Sequence, residues 1–340
     1  MHHIDPKHQV AILSVLRDSR DAVSSTEIAR AIQAYGLEMS ARTIRLYLQH
    51  MEQDGLVARA KRGRTGGRQI TSRGIAELDD AAVLDRIGFT AARVDRLAWE
   101  MDFDLERVRG RVVLNLTLIP EAYLAHAVRE MLTVFRAGFG MGRFVALLRE
   151  GETAESLVIP PGHVGVGTVC SVTVNGVLLN DRVPAASRFG AVLEIRNGSP
   201  ARFTDLIAYD GTTLDPLEVF IKAGLTSVGR AAVTGNGRIG ASFREVPTAA
   251  LSTVYAIKKR LEKAGLGSVL LIGKPNQPVL DIPVQEGRTG ILVVGGLNPA
   301  AAVEEAGIAT TNTALCTLYD VNKLIHYQDL SHAAAEFQRA

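Results

Sequence analysis

At 340 residues with a net charge of +2, the chain is long enough for about two or three domains, since a single core rarely grows far beyond ~250 residues. Hydrophobic residues make up 47% and charged residues 22%, which excludes a disordered chain, and the small net charge confines any nucleic-acid footprint to a local patch. Two cysteines, Cys170 and Cys316, exclude a disulfide framework or a cysteine-rich zinc site, and no signal core or run of ~18 apolar residues stands out, so a soluble cytoplasmic protein without a membrane partner is expected.

Val10, Ile12, Leu13 and Leu16 give a first amphipathic helix, and Ser25, Ile28, Ala29 and Ile32 a second that Gly36 ends. A third starts at the N-cap Ser40 and buries Ala41, Ile44, Leu48 and Met51 before Gly55. Its other face carries Arg42, Thr43, Arg45, Gln49 and His50, able to reach phosphates and base edges from a major groove. Leu56–Arg59 and Arg68–Thr71 read as two strands around the hairpin tip Arg64-Thr65-Gly66-Gly67. From Arg59 to Arg68 the basic residues Arg59, Lys61, Arg62, Arg64 and Arg68 stand without an acidic one. A charge run is also an ordinary solvated face, and three short helices occur in protein-binding modules. A basic, glycine-tipped hairpin directly after a capped helix favours double-stranded DNA, with phosphates neutralised by the wing and bases read by the third helix. Residues 1–75 thus resemble the winged helix-turn-helix domains of prokaryotic regulators, and Arg42, Thr43, Arg45, Gln49, Lys61, Arg62, Arg64 and Arg68 are the DNA candidates.

Residues 76–108 read as a connector helix and hinge. Helical spacing at Ile75, Leu78, Ala82, Val83 and Leu84 is followed by a charged segment with the only tryptophan, Trp99. Trp99 serves either a dimer contact or packing on its own domain.

Residues 109–340 contain one unit twice, about 109–235 and 236–340. NLTLIPEAYLAHAVREMLTVFRAGFG lies over ASFREVPTAALSTVYAIKKRLEKAGLG, matching Pro120 with Pro247 and Gly138 with Gly265, and GHVGVGTVCSVTVNGVLLND lies over GRTGILVVGGLNPAAAVEEA. Each copy predicts strand, proline at the first turn of a long helix, glycine stop, two strands, a second helix and a strand. This βαββαβ order is that of ferredoxin-like units. The fold class is therefore α/β (α+β), a winged helix followed by two duplicated βαββαβ-like units. The match sets Cys170-Ser171-Val172-Thr173 on Gly295-Gly296-Leu297-Asn298, each between a strand and a helix, where free N–H groups collect and anions bind. Packed about a pseudo-twofold axis, the two junctions would face one cleft; a purely architectural duplication is the alternative.

The stretch Cys170–Arg244 sets Gly, Ser, Thr and Asn between apolar runs, which suits a small polar or anionic ligand better than bond-breaking chemistry. Cys170 has no His or Asp arranged as a nucleophile's partner and reads as packed or ligand-proximal. Arg188, Arg202 and Arg244 are candidates for a carboxylate, each equally able to pair with a nearby acid. Ser242 precedes Arg244, and Thr212, Thr213, Thr226 and Ser227 supply hydroxyls for a ligand or a helix cap. Asp210 and Asp215 lack calcium-loop spacing, and GNGRIG lacks the dinucleotide fingerprint. No catalytic residue, metal ligand or cofactor is assigned, although an enzyme fused to a DNA module and a protein-binding scaffold stay as alternatives.

SRFGAVLEI, ARFTDLIAYDGTTLDPLEVFIKAGLTSV, GNGRIGASFREVP, IGKPNQPVLDIPV and GGLNPAAAVEEAGI closely resemble the regulatory domain of the NrpR nitrogen-regulation repressors, and the likeness runs from the winged helix to about residue 330. The resemblance implies a homodimeric, DNA-binding repressor of nitrogen-assimilation genes that 2-oxoglutarate releases from its operator. Family members carry one or two regulatory domains, and this chain carries one. On this reading the effector lies near Cys170, Ser171, Thr173 and Asn298, with Ser242, Arg244, Thr212 and Thr226 as further candidates, and Cys170→Leu, Thr173→Val or Asn298→Leu weakens binding without unfolding the domain.

Overall fold

The computed structural model describes residues 6–19, 22–35, 37–60, 67–81, 89–154 and 157–337. The chain divides into two compact units, Met1–Ile87 and Gly88–Ala340.

In the first unit, α1 (Pro6–Asp18), α2 (Ser25–Ala31) and α3 (Ala41–Gln53) precede the antiparallel pair β1 (Val57–Arg59) and β2 (Arg68–Ile70), and α4 (Ser72–Ala81) follows. The caps are local and strong. Ser24 and Glu27 form a reciprocal capping box at α2, and Ser40 accepts the Thr43 N–H at α3. The apolar positions at helical spacing, Ile12, Leu13, Leu16, Ile28, Ile32, Ile44, Leu48 and Met51, form one core.

The span read as a connector divides between the two cores. Leu78 of α4 is core in the first unit, whereas Val94, Leu97 and Ala98 of α5 (Phe89–Glu100), with Met101 and Phe103, are core in the second. Its described parts are therefore packed structure rather than hinge. Trp99 projects from α5 with 78% of its surface exposed.

The second unit continues with β3 (Arg111–Pro120), α6 (Leu124–Arg136), β4 (Phe144–Leu148), the short pair β5 (Thr153–Ala154) and β6 (Leu157–Val158), β7 (His163–Val169), α7 (Val172–Asn180), β8 (Ala186–Arg196), β9 (Ser199–Ala208), α8 (Pro216–Lys222) and α9 (Val228–Thr234). The second copy follows as β10 (Gly237–Pro247), α10 (Leu251–Lys263), β11 (Val269–Ile272), β12 (Arg288–Val294), α11 (Asn298–Glu305), β13 (Thr311–Asp320), β14 (Ile325–His326) and α12 (Leu330–Phe337). The repeat is visible in the backbone itself. Pro120 and Pro247 adopt φ/ψ of −57/130° and −57/131°, and Gly138 and Gly265 take left-handed φ of 76° and 74° just past α6 and α10. Each proline ends a strand, and a 3₁₀ turn, Glu121–Tyr123 or Thr248–Ala250, separates it from the helix. Proline therefore stands before the first turn rather than in it.

The βαββαβ order holds in both copies, but the last strand of each is exchanged. One sheet runs β13-β3-β7-β4-β14 and the other β11-β12-β10-β8-β9, all neighbours antiparallel. Thus β13 of the second copy lies on β3 of the first, and β8 of the first lies on β10 of the second. Each sheet keeps the ferredoxin-like strand order only because its partner copy supplies the edge. The helices cross as well, α6 packing on α11 and α7 on α10. Neither copy has a complete sheet alone, so residues 88–340 form one folding unit rather than two.

Candidate functional site

On α3, Ile44, Leu48 and Met51 are buried, which turns Arg42, Arg45 and Gln49 outward as exposed residues. Thr43 shares its hydroxyl with the cap, 2.9 Å from Ser40 Oγ. Beside this face a groove of about 480 Å³ is lined by Ser24, Ser25, Thr26, Arg45, Leu48, Gln49 and Arg68. Arg68 departs from the expectation of a free wing cation. Its side chain is only 11% exposed and its Nη2 donates to Glu52 Oε2 at 2.8 Å, while Arg59 Nε lies 3.2 Å from the other oxygen. The run has no acid of its own, and Glu52 from the preceding helix supplies the counter-charge that pins the hairpin. Lys61, Arg62 and Arg64 lie outside the described residues.

In the second unit the two strand-to-helix junctions meet. A Cβ on Gly296 would fall 2.5 Å from Asn115 Nδ2 and 3.1 Å from Cys170 Cα, so only glycine allows this approach. Each junction is tied to the first strand of its own copy in the same way. Cys170 N donates to Val113 O at 2.7 Å and Gly295 N to Gly240 O at 2.9 Å. Thr173 Oγ1 then accepts from Val113 N at 3.1 Å, and Asn298 Oδ1 from Gly240 N at 2.7 Å. Asn298 Nδ2 also donates to Gly240 O and Phe139 O, both at 2.9 Å. Thr173 and Asn298 are fully buried and their polar atoms are spent on these backbone groups. They fix the junctions instead of presenting free groups to a ligand.

Beside the junctions lies Arg244, 1% exposed. Its Nη1 donates to Ser242 Oγ at 2.6 Å, its Nη2 to Ser171 Oγ at 3.0 Å, and its Nε to Asn175 Oδ1. Among the described residues no carboxylate forms an ion pair with it. A guanidinium has five N–H groups, so two have no acceptor among the described residues. Burial lowers its pKa, the expected response of a cation that lacks a counter-charge.

A cavity of about 10 Å³, bounded by Asn115, Cys170, Ser171, Tyr209, Asp215, Gly296 and Leu315 among others, has room for about one water. Leu315 sits at φ 52°, where the register of β13 jumps between Thr313 and Thr317, and its N–H donates to Asn115 Oδ1 at 3.2 Å. A non-glycine residue there costs about 1–3 kcal/mol. Burial pushes the Cys170 thiol up to about 11, so it is protonated at neutral pH. Burial also pushes Asp215 up to about 6, against the pull of the Leu217 N–H that it caps. Glu218, which accepts from Ala314 N, rises to about 7 for the same reason.

The structure gathers Cys170, Ser171, Ser242 and Arg244, and leaves two candidates elsewhere. Thr226 Oγ1 donates to Glu305 Oε1 at 2.7 Å, and Thr212 closes a local turn onto Leu214. Arg202 is paired with Glu194. Sequence reasoning passed over Asn115, Asn175, Tyr209 and Glu218, and weighed Asp215 as a calcium ligand before setting it aside. Asn115 had a signal, since it stands five residues before Pro120 as Ser242 stands five before Pro247. Among the described residues no cluster of three or more His, Cys, Asp or Glu is placed to hold a metal, and no helix is long and apolar enough to cross a membrane.

These features define a class of protein, a winged helix joined to a duplicated domain with a buried cation at the contact of its two copies. Residues 87–326 match the NrpR regulatory domains NRD1 and 2, and residues 10–78 match the ribonuclease R winged-helix domain. The chain is 32% identical to the global nitrogen regulator NrpRI of Methanosarcina mazei, over 92% of this chain and 95% of that one. It is 28% identical to the global nitrogen regulator NrpR of Methanococcus maripaludis, over 94% of this chain but 55% of that longer protein. A crystal structure of a nitrogen repressor-like protein from Methanococcus jannaschii superposes with a TM-score of 0.59 at 26% identity, over 69% of this chain and 97% of that one. The chain belongs to the NrpR family.

Proposed function

We propose that this protein is a homodimeric DNA-binding repressor of nitrogen-assimilation genes, not an enzyme, and that 2-oxoglutarate bound at the contact of the two junctions releases it from its operator. The names of the relatives support the nitrogen role. The observation that carries the ligand is Arg244, a buried cation with spare donors and no ionic partner among the described residues, since a buried charge calls for an opposite one. The protonated Cys170 thiol speaks against a cysteine nucleophile.

The cavity as it stands admits about one water, so 2-oxoglutarate binds an arrangement in which its walls have moved apart. A ligand that favours one arrangement shifts the equilibrium toward it, which is the requirement for a switch. Calorimetry on the full chain with 2-oxoglutarate tests the binding step. Unsaturable heats at millimolar ligand would remove this effector.

The two raised carboxyls give that binding a pH dependence. Between about pH 4 and 7 the folded form holds more protons on Asp215 and Glu218 than the unfolded chain does. Their contribution to stability is therefore fully present below pH 4 and is lost as pH rises through 6 and 7. A bound dianion raises both values further, so binding should be tighter at pH 6 than at pH 8 and should take up protons. Calorimetry in buffers of different ionisation enthalpy measures that uptake, and proton release would contradict it.

For the operator, exposed Arg45 and Gln49 are the base-reading candidates, and a dimer implies two half-sites. Arg45→Ala or Gln49→Ala should change sequence preference, at about 1–3 kcal/mol per lost base contact. Footprinting on selected sequences reads both features. A single protected half-site, or an unchanged preference in both variants, would count against this mode.

A further inference from the structure

The opposite face of β10 carries a second charge that the effector site does not use. Glu245 is 1% exposed and lines a cleft of about 520 Å³ with Phe189, Phe243, Asp210 and Arg188. Its Oε1 receives a long bond from Gln285 N, 3.4 Å, and has Arg188 Nε at 4.0 Å. Its Oε2 is buried with no hydrogen-bond partner among the described residues. A carboxylate so enclosed is costly unless a cation meets it.

The duplication supplies an internal comparison. Counting back from Pro247 and Pro120, Glu245 corresponds to Leu118, which packs against an apolar cluster with Leu114, Leu116 and Leu148. The strand therefore accepts leucine at this position, and the fold alone does not call for an acid. Phe189 and Phe243 stack beside Glu245, with centroids 5.0 Å apart and planes at 7°, and aromatic faces attract cations. Asp210 adds an exposed negative charge at the rim. The volume falls in the range of sites for small molecules.

We infer that this cleft binds a small organic cation in an arrangement where the cover over Glu245 has opened, with an ammonium or guanidinium group on Glu245 Oε2 and its carbon body against Phe189. The site is separate from the one proposed for the dicarboxylate and stands or falls without it. Arg188 competes for Glu245 from the rim rather than serving as its permanent partner.

Calorimetry on the full chain with agmatine, n-butylammonium and, at matched ionic strength, potassium chloride tests the assignment. Saturable binding of an organic cation is expected, absent with potassium. Glu245→Gln should weaken it by about tenfold or more, and Arg188→Gln should leave it unchanged or tighten it, whereas a merely structural ion pair gives no such gain. Glu245→Leu should melt at or above the wild-type temperature, because it removes a buried charge met only by the long contact to Arg188 among the described residues. If Glu245→Gln does not fold, Asp210→Asn at the exposed rim carries the test, with weaker binding expected. No saturable binding of either organic cation at about 10 mM, equal heats with potassium, or undiminished affinity in whichever of Glu245→Gln and Asp210→Asn is folded overturns the inference.

Discussion

Arg244→Met is expected to weaken 2-oxoglutarate binding by about 100-fold or more while leaving the domain folded. Charge-assisted hydrogen bonds to a buried carboxylate contribute about 1.5–3 kcal/mol each, and two spare N–H groups of Arg244 are available for them, so the lost affinity reaches roughly 3 kcal/mol. Stability should respond far less. The guanidinium has no ion pair to break among the described residues, and replacing a buried charge with an apolar side chain is often neutral or stabilising. Against this stand the lost bonds to Ser171, Ser242 and Asn175, which hold the change within about 2 kcal/mol of zero. Calorimetry and a melting curve on the same preparation separate the two effects. Unchanged affinity would place the ligand elsewhere, and an unfolded variant would make Arg244 a core residue rather than a ligand's partner.

Asn298→Leu should behave in the opposite way. Its amide bonds the N–H and C=O of Gly240 and the C=O of Phe139, and leucine leaves the Gly240 N–H and the Phe139 C=O without that partner, while Gly240 O keeps the Gly295 N–H. At about 1–3 kcal/mol for each of these two groups, and with some relaxation, a loss of about 2–4 kcal/mol is expected in denaturant unfolding. Thr173→Val removes the equivalent contact to Val113 and should cost less, about 1–2 kcal/mol. This ordering reverses the sequence-based expectation that both changes affect binding alone. Wild-type stability for Asn298→Leu would show that the junctions are held by something other than these bonds.

What the sequence disclosed follows from what is local. Proline, glycine and helical periodicity act within a few residues, so Pro120, Pro247, Gly138 and Gly265 exposed the duplication, and apolar spacing with the cap at Ser40 exposed the helices of the first unit. The exchange of β8 and β13 left no such trace, because the order of elements is the same whichever sheet receives the last strand. Arg68 read as a free cation because its partner Glu52 lies on the preceding helix, and Thr226 read as a pocket hydroxyl because Glu305 is distant in sequence. At the candidate site the junctions were legible through the repeat. That Arg244 lacks a counter-ion among the described residues was not, since the acids around it in sequence, such as Glu245, point to the other face of the strand.

Operator affinity of the full chain with and without 2-oxoglutarate, measured by fluorescence anisotropy at one fixed salt concentration, addresses the central claim directly. Salt must be held constant because phosphate contacts make affinity steeply salt-dependent. Release by a coupled ligand amounts to about 1–3 kcal/mol, a loss of roughly 5- to 150-fold in affinity, and Arg244→Met should bind the operator while failing to respond. A wild-type protein that binds its operator equally well with and without saturating 2-oxoglutarate would contradict the account, since a ligand with no preference between two arrangements shifts neither.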